Sequence, residues 1–244
     1  MTKVCNVFGA GPPPARSPEI GGEDLVIAVD GGYLYTQKAG IHADVIVGDF
    51  DSLSCDDGIA PGGTNEGNEP SEQNESSEQN RPSEHSRPQI VRLPKEKDQT
   101  DMFAALKFGL DKGFTRFHIY GGLGGRLDHT LANIQCLTFL LNQSARGYLF
   151  NEDIVVTATR TEEWFTPRER GVISVFAIGG PAKGVCLRGL KYELDNAELT
   201  TEFPVGVSNE FIGSCAHISV GSGDLLIIYP LQSEPIKGSM TEPS

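Results

Sequence analysis

The chain contains the stretch Val45-Ile-Val-Gly-Asp49-Phe50-Asp51-Ser52, where a β-branched run ends in glycine and two carboxylates follow. Such a run, bounded by a loop signal, predicts a buried strand that feeds a loop. If the extended conformation continues, the side chains of Asp49 and Asp51 point to the same side, roughly 6–7 Å apart. Two charges at that distance repel by about 2.5 kcal/mol at an effective dielectric of about 20, whereas Mg²⁺ would attract both. The stretch indicates either a metal site or two solvated loop aspartates.

Apolar runs elsewhere in the first half extend this pattern into a fold. Residues 3–8, 25–29 and 114–120 have strand character, and helical patterns begin near Tyr33 and after Asp101. Strands that alternate with helices predict an α/β fold with an N-terminal, mostly parallel sheet and flanking helices. Ligands of such sheets bind at the carboxyl ends of the strands. The Asp49–Asp51 pair, and Asp30 before two glycines, are expected at those ends.

Two further segments differ in composition. Residues 54–89 are rich in Gly, Asn, Glu, Gln, Ser and Pro, with near-repeats at 71–74 and 77–80, which predicts a disordered low-complexity insertion. From about residue 148 the pattern changes to short strands with turn signals between several of them, as in 171–178 and 184–190, which predicts a C-terminal all-β sandwich domain. We therefore predict domains at 1–147 and 148–232, followed by a flexible tail at 233–244.

Bulk properties narrow the class of protein. The net charge of −13 argues against a sequence-independent nucleic-acid binder, which needs a basic surface. No signal peptide is recognisable, and no apolar run approaches the roughly 20 residues that span a bilayer. The five cysteines are odd in number and widely spaced, which favours reduced thiols in a cytoplasmic protein.

Two loop-to-helix junctions carry further chemistry. Asp98 or Thr100 is suited to cap the helix that follows, Asp101 suits its first turn, and Lys95 and Lys97 could neutralise phosphates nearby. At the second junction, four glycines in residues 121–125 expose backbone N–H groups to an anion before a helix N-terminus. The stripe predicted to be buried on this second helix comprises Leu127, Leu131, Ile134, Thr138 and Leu141, and the neighbouring polar face comprises Arg126, His129, Thr130 and Asn133.

Six stretches, in order along the chain, resemble the motifs of one family. They are Asp30-Gly-Gly, Gly48-Asp-Phe-Asp-Ser52, Lys97-Asp-Gln-Thr-Asp101, Gly121-Gly-Leu-Gly-Gly-Arg-Leu-Asp-His129, Gly189-Leu-Lys-Tyr192 and Gly206-Val-Ser-Asn-Glu210. The chain is similar in them to the thiamine pyrophosphokinase (thiamine diphosphokinase) family. This resemblance implies a homodimer with the active site at the subunit interface. It also implies Mg²⁺-dependent, in-line transfer of pyrophosphate at the β-phosphorus of ATP to the thiamine hydroxyl, with release of AMP.

The resemblance also assigns residues to roles. The metal ligands it implies are Asp49, Asp51 and Asp101, and the catalytic group also includes Asp98, Arg126 and Asp128. The ATP site it implies comprises Asp30, Gly31, Gly32, Lys97, Gly122, Gly124, Gly125, Arg126 and His129. The thiamine site it implies comprises Thr100, Tyr192, Ser208 and Asn209. The chain departs from many relatives at Tyr33-Leu34, where they have Ala-Asn, and from some at Tyr192, where they have Trp.

Other functions remain open at this point. One rival is a different pyrophosphokinase on this scaffold, acting for instance on a hydroxymethylpterin. A second is a phosphatase of the haloacid-dehalogenase kind, because Asp49-Phe-Asp51 after a strand mimics its nucleophile motif. A third is a thiamine- or nucleotide-sensing module without turnover. For the kinase, the acceptor of the hydroxyl proton is either an aspartate or His129.

Overall fold

The structure is a computed structural model that describes residues 2–12, 14, 17–49, 88–94 and 98–231. The predictions for Asp51, Lys97, the insertion up to residue 87 and the tail at 233–244 lie outside these residues. The helices in the described part are α1 (Gly32–Lys38), α2 (Asp101–Asp111) and α3 (Leu127–Asn142). The strands are β1 (Cys5–Phe8), β2 (Leu25–Val29), β3 (Val45–Gly48), β4 (Gln89–Arg92), β5 (Arg116–Tyr120), β6 (Arg146–Phe150), β7 (Ile154–Thr159), β8 (Glu162–Phe165), β9 (Val172–Arg188), β10 (Leu194–Leu199), β11 (Asn209–Glu210), β12 (Ala216–Ser219) and β13 (Ser222–Pro230).

The N-terminal half is a parallel sheet with the strand order β4-β3-β2-β1-β5-β6. Successive side chains along each strand point to opposite faces of the sheet, as the pleat requires. In β5, Phe117 and Ile119 belong to the main hydrophobic core, which also takes in residues of α2 and α3. Tyr120 belongs to a separate, aromatic-rich cluster against which Tyr33 and Tyr35 of α1 pack. The sheet therefore has a hydrophobic layer on each face.

Both longer helices begin at the carboxyl edge of this sheet. A Cβ on Gly9, just after β1, would lie 3.0 Å from Cε of Met102, whereas a Cβ on Gly109 would lie 2.8 Å from Sγ of Cys5. Helix α2 therefore runs antiparallel to β1, with its first turn above the end of that strand. Helix α3 follows β5 directly and runs antiparallel to β6, with its C-terminal half over Gly147 near the start of that strand.

The predicted stripe on α3 is wrong at its N-terminal end. Leu127 and Leu131 are 71% and 55% exposed. The residues that α3 buries are Asn133, Cys136, Leu137, Leu140 and Leu141. The first turn of α3 emerges from the loop after β5 and has no strand beneath it, so correct apolar spacing there does not lead to burial. Two large apolar side chains are left on the surface beside the loop.

The C-terminal half continues the same sheet with antiparallel strands. Strand β7 pairs with β6, and the order continues through β13, β9 and β12 to β8. The predicted strands at 171–178 and 184–190 are one long strand, β9, which contains Gly179, Gly180 and Gly184 at positive φ. Its first part pairs with β13 and β11 and its last part with β10 and β12, around a second core. This strand-rich half is consistent with a β-sandwich, so the predicted fold class is confirmed, whereas the domain boundaries stay a prediction.

Two predictions about the whole chain can be compared with the described residues. The four cysteines among them, Cys5, Cys136, Cys186 and Cys215, are free. Within the same residues, no helix combines the length and the apolar character that crossing a bilayer requires.

Candidate active site

Two aspartates lie side by side where β2 and β3 end. Asp30 follows β2 in the left-handed region, with φ of 45°, and its N–H donates to the carbonyl of Val47 over 3.1 Å. A Cβ on Gly48 would lie 2.0 Å from Oδ1 of Asp30, so the carboxylate of Asp30 rests against the end of β3. Asp49 is the next residue of that strand end. The structure therefore brings two of the predicted site residues, Asp30 and Asp49, to one place on the carboxyl edge.

The third described acid, Asp101, opens helix α2 at the same edge. Thr100 is its N-cap, since the side-chain Oγ1 accepts from the N–H of Phe103 over 3.2 Å. The alternative cap, Asp98, is therefore wrong as a capping assignment. An acidic side chain in a first turn is favourable beside the helix dipole, so Asp101 also has a structural role. The cap accounts for one acceptor bond of the Thr100 hydroxyl, whose proton can still be donated to a ligand.

The donor chemistry of these acids suits a magnesium ion. Carboxylate oxygens are the protein ligands that Mg²⁺ prefers, and Asp49 and Asp101 both supply them at the carboxyl edge. Among residues 2–12, 14, 17–49, 88–94 and 98–231, however, no three His, Cys, Asp or Glu side chains are already gathered for a metal. One of the three predicted ligands, Asp51, lies outside this set. The donor chemistry of these residues fits Mg²⁺, and the assignment of the metal ligands stays a prediction.

The loops after β1 and β5 pack backbone against backbone. The N–H of Gly9 donates to the carbonyl of Tyr120 over 2.8 Å, and that of Gly11 donates to the carbonyl of Gly121 over 3.0 Å. Gly121 has φ of 64°, and a Cβ on it would lie 2.4 Å from the carbonyl oxygen of Gly9. Only glycine fits this combination of left-handed backbone and close approach. The glycines at 9 and 11 thus hold the glycine-rich loop (residues 121–126) in place.

Arg126 and Asp128 form an exposed, bidentate ion pair at the start of α3. Nε and Nη2 of Arg126 donate to Oδ1 and Oδ2 of Asp128 over 3.2 and 2.6 Å. The hydrogen bonds from Arg126 lower the pKa of Asp128 to about 2, and a bond from the backbone N–H of His129 acts in the same direction. The two side chains are therefore both charged at neutral pH. A phosphate that binds Arg126 has to compete with Asp128 for the guanidinium.

Three of the four predicted thiamine residues, Tyr192, Ser208 and Asn209, lie together in the C-terminal half, whereas Thr100 caps α2 in the N-terminal half. Asn209 is buried, and its side chain bonds both backbone groups of Tyr192: Oδ1 accepts over 2.9 Å and Nδ2 donates over 2.6 Å. Ser208 has φ of 59° and donates its N–H to Oγ of Ser174 over 3.1 Å. The ring of Tyr192 is 59% exposed, with Nζ of Lys191 5.4 Å from its centre. Asn209 thus orients Tyr192, and the aromatic ring is available to a ligand.

A pocket adjoins this ring. Its lining residues are Leu187, Tyr192, Leu194, Val205, Gly206, Val207 and Asn209. Sequence reasoning did not single out Gly206, although the Gly-Val-Ser-Asn-Glu motif contains it. A Cβ there would lie 2.2 Å from the carbonyl oxygen of Val175, and the N–H of Val175 donates to the carbonyl of Gly206 over 2.9 Å. Glycine therefore lets the pocket wall lie directly against β9.

Within the described residues, the two groups of candidate residues lie in different parts of the sheet. The acids and the glycine-rich loop lie at the ends of β2, β3 and β5, whereas Asn209 belongs to β11, which pairs with β9. The hydrogen-bonded path from β5 to β11 runs through β6, β7, β13 and β9. Five strand spacings correspond to about 24 Å along the sheet. Each chain thus contains an acidic, glycine-rich half-site and a separate aromatic half-site.

Known proteins share both halves. Residues 19–149 match the family model described as "Thiamin pyrophosphokinase, catalytic domain", and residues 160–225 match "Thiamin pyrophosphokinase, vitamin B1 binding domain". The chain belongs to the thiamin pyrophosphokinase family. The resemblance drawn from the six sequence motifs is thereby confirmed.

Individual thiamin pyrophosphokinases give the extent of the similarity. The thiamine pyrophosphokinase of Bacillus subtilis (strain 168) is 31% identical over 135 residues, which cover 54% of this chain and 63% of the relative, just under two thirds of its length. A crystal structure of thiamine pyrophosphokinase from Bacillus subtilis has a TM-score of 0.74 at 25% identity and covers 94% of this chain and 100% of that one. Thiamin pyrophosphokinase from Candida albicans has a TM-score of 0.67, covering 95% and 90% of the two chains, and at 13% identity it bears on the fold alone.

Proposed function

We propose that this protein is a thiamine diphosphokinase, which transfers the pyrophosphoryl group of ATP to the hydroxyl of thiamine and releases AMP. In this reaction the hydroxyl oxygen attacks the β-phosphorus in line, and the bond from that phosphorus to the oxygen bridging the α-phosphate breaks. The hydroxyl proton passes to an aspartate or to His129. The observation that carries the proposal is the meeting of Asp30, Asp49, Asp101 and the glycine-rich loop at one sheet edge in a member of this family.

The acidic half-site is suited to hold a triphosphate. Such transfers depend mainly on positioning and on neutralising charge. We propose that Asp49, Asp51 and Asp101 hold Mg²⁺, which when bound neutralises negative charge on the phosphates. Lys97, Arg126 and the N–H groups of the glycine-rich loop would bind the remaining phosphate oxygens, and Asp30-Gly-Gly would contact the nucleotide.

The aromatic half-site is suited to thiamine. Its thiazolium ring is a cation, and an exposed tyrosine ring such as that of Tyr192 attracts cations through its electron-rich face. The carboxylate of Glu210, 2.6 Å from Nζ of Lys191, offsets the positive charge of that lysine beside the ring. Hydrogen bonds from Ser208 and Thr100 would complete recognition. An acidic protein also suits a cationic substrate electrostatically.

A homodimer would bring the two half-sites together. Each half-site is flanked by exposed apolar side chains, Leu127 and Leu131 beside the glycine-rich loop, and Val205 and Val207 beside Tyr192. In a two-fold dimer, contact between unlike patches of the two copies occurs twice. We therefore propose that the α3 face of one copy covers the Tyr192 face of the other, forming two active sites at the interface. Exposed apolar side chains on both faces support this arrangement.

The decisive experiment incubates the protein with ATP, Mg²⁺ and thiamine and follows AMP and thiamine diphosphate. We expect equal amounts of both products, and AMP release that depends on thiamine. Release that depends instead on a hydroxymethylpterin would support the rival pyrophosphokinase. A covalent aspartyl phosphate would identify the phosphatase, and thiamine binding without AMP would identify the sensing module. Any of these three results overturns the proposal.

Mixing two impaired variants, assayed with thiamine far below its KM, tests the shared site. Asp101→Asn impairs the acidic half and Asn209→Leu the aromatic half, so a mixed dimer contains one site with both halves intact. After random exchange we expect about a quarter of the wild-type activity to return, because half of the dimers are mixed and each has one intact site. If activity does not return although subunits exchange, each site is built from a single chain.

A further inference from the structure

Two side chains of α3 bond back to the glycine-rich loop. Nδ2 of Asn133 donates to the carbonyl of Gly122 over 2.8 Å, and Asn133 is 7% exposed. The N–H of Gly124 donates to Oγ1 of Thr130 over 3.2 Å, and the same hydroxyl lies 3.2 Å from the carbonyl of Arg126. Residues three apart on a helix share one face, so Thr130 and Asn133 form adjacent attachments. Neither bond is needed to complete α3 itself.

The attached loop has unusual backbone freedom. Gly121, Gly124 and Gly125 all have positive φ, a region that other residues rarely adopt. A glycine backbone loses more conformational entropy than any other when it becomes ordered. Attachments at Gly122 and Gly124 restrict that freedom before a ligand arrives. Binding would then lose less affinity to ordering of the loop.

The bond to Thr130 also decides which N–H groups face a ligand. The N–H of Gly124 is directed towards Oγ1 of Thr130 and away from an anion at the helix N-terminus. In the described part of the chain, the N–H groups of Gly122, Leu123 and Gly125 donate to no other residue. These three, on either side of Gly124, are among the donors that remain for phosphate oxygens.

We propose that Thr130 and Asn133 are positioning residues that hold the glycine-rich loop in the conformation that binds the triphosphate of ATP. The inference rests on the proposed function for the identity of the anion. The inference goes beyond the proposed function because it assigns a role to two side chains that need not touch either substrate. Thr130 acts through the Gly124 amide, and Asn133 acts through the Gly122 carbonyl.

The test compares Thr130→Val, Thr130→Ser and Asn133→Leu. We expect Thr130→Val and Asn133→Leu to raise both the Kd of a non-hydrolysable ATP analogue and the KM for ATP by roughly 5- to 50-fold, the range for removing one partner of a hydrogen bond. The KM for thiamine should change less than the KM for ATP, because both bonds hold the glycine-rich loop and neither involves a residue of the aromatic half-site. Thr130→Ser keeps the hydroxyl and should restore ATP affinity.

Thr138→Val is the matched control. It is the same substitution on the same helix, at a hydroxyl whose Oγ1 is buried without a hydrogen-bond partner within the described residues. We expect ATP binding like that of the wild type. Equal ATP affinity in Thr130→Val, Thr138→Val and wild type would overturn the inference, and so would a wild type that does not bind the analogue. A wild type that binds the analogue but forms no thiamine diphosphate would overturn only the proposed function.

Discussion

The carboxylate of Asp30 occupies the space beside Gly48 where any other residue would place its Cβ. That Cβ would lie 2.0 Å from Oδ1 of Asp30, far inside van der Waals contact. Asp30 is held in this position by its left-handed backbone and by the bond from its N–H to Val47. The glycine that ends β3 therefore determines where the acid at the end of β2 can lie.

Substituting Gly48 by alanine should displace the Asp30 carboxylate and leave β3 in the sheet. Misplacement of a site group by about 1 Å can cost on the order of 100-fold in kcat/KM. We expect kcat/KM for ATP to fall by about this factor in steady-state kinetics, and kcat/KM for thiamine to fall less. Gly22→Ala is the control, since a Cβ there meets nothing within 4 Å. Unchanged kinetics in Gly48→Ala would show that the position of Asp30 is irrelevant to turnover.

The two ends of α2 provide a second matched pair. Asp101→Asn removes a charge at the N-terminus of the helix, where we propose Mg²⁺ binds, and Asp111→Asn removes one at the other end. We expect Asp101→Asn to lower Mg²⁺-dependent turnover by at least about 100-fold, in line with the loss of a charged contact to the metal and phosphates. Asp111→Asn should behave as wild type. A titration of activity with Mg²⁺ measures both, and equal activities would reject the metal assignment.

Because Asn209 is bonded to the backbone of Tyr192, we predict that substituting Asn209 changes the KM for thiamine alone. Asn209→Leu removes both bonds at similar side-chain volume, so we expect the KM for thiamine to rise roughly 10-fold or more. The KM for ATP should not change. Tyr192→Phe, which keeps the ring, should bind thiamine nearly as the wild type does. If Asn209→Leu affects both substrates equally, its role lies in general folding.

The ion pair between Arg146 of β6 and Glu163 of β8 predicts an effect on stability. Glu163 is 3% exposed, and its Oε2 lies 2.5 Å from Nη2 of Arg146. Burial raises the pKa of Glu163, while Arg146 opposes that shift. Arg146→Met leaves a buried acid without its ion pair and should lower the free energy of unfolding by about 3–5 kcal/mol.

Two controls accompany that measurement by urea denaturation. Adding Glu163→Leu to Arg146→Met should recover most of the loss, because no buried charge then remains. Arg188→Met breaks an exposed pair with Asp195 and should change the unfolding midpoint little. A double variant less stable than Arg146→Met alone would contradict this account.

His118 predicts a pH dependence. It contacts the rings of Tyr148 and Phe150, and burial together with nearby Arg116 lowers its pKa to about 4, with Asp24 acting in the opposite direction. Between about pH 6.5 and 4, His118 binds a proton in the unfolded chain and stays neutral in the folded chain. The free energy of unfolding should therefore fall as pH falls through that window, by up to about 3 kcal/mol from this group.

The variant His118→Phe isolates this contribution. It keeps an aromatic ring against Tyr148 and Phe150 and removes the titrating group. Denaturation curves at pH 7.5, 5.5 and 4 should show the wild type losing more stability than the variant on acidification. Parallel losses in the two proteins would assign the acid sensitivity to other groups.

Local sequence signals predict the elements that position the acidic half-site. The β-branched run before Gly48 predicts β3, and the candidate caps Asp98 and Thr100 predict the start of α2 to within two residues, because both signals depend on neighbouring residues. The six ordered motifs led to the family. Long-range relationships were not accessible: the contact between Asp30 and Gly48 joins two strand ends, and no pattern in either segment contains it.

The errors have the same origin. Apolar spacing predicts burial for Leu127 and Leu131, but burial depends on whether a strand lies beneath that turn of α3. Asn133 has the polarity of a surface residue and is buried because it bonds to Gly122. The glycines at 179–184 have the composition of a turn, and pairing with β13, β10 and β12 carries β9 through them. In each case a partner distant in sequence decides the outcome.

The ladder that runs without a break from β6 through β7 and β13 to β9 has a consequence for modularity. Cutting the chain between β6 and β7 would leave two long strand edges unpaired, and unpaired edges promote aggregation. We therefore expect either half of the chain, expressed alone, to expose an unpaired strand edge and to aggregate.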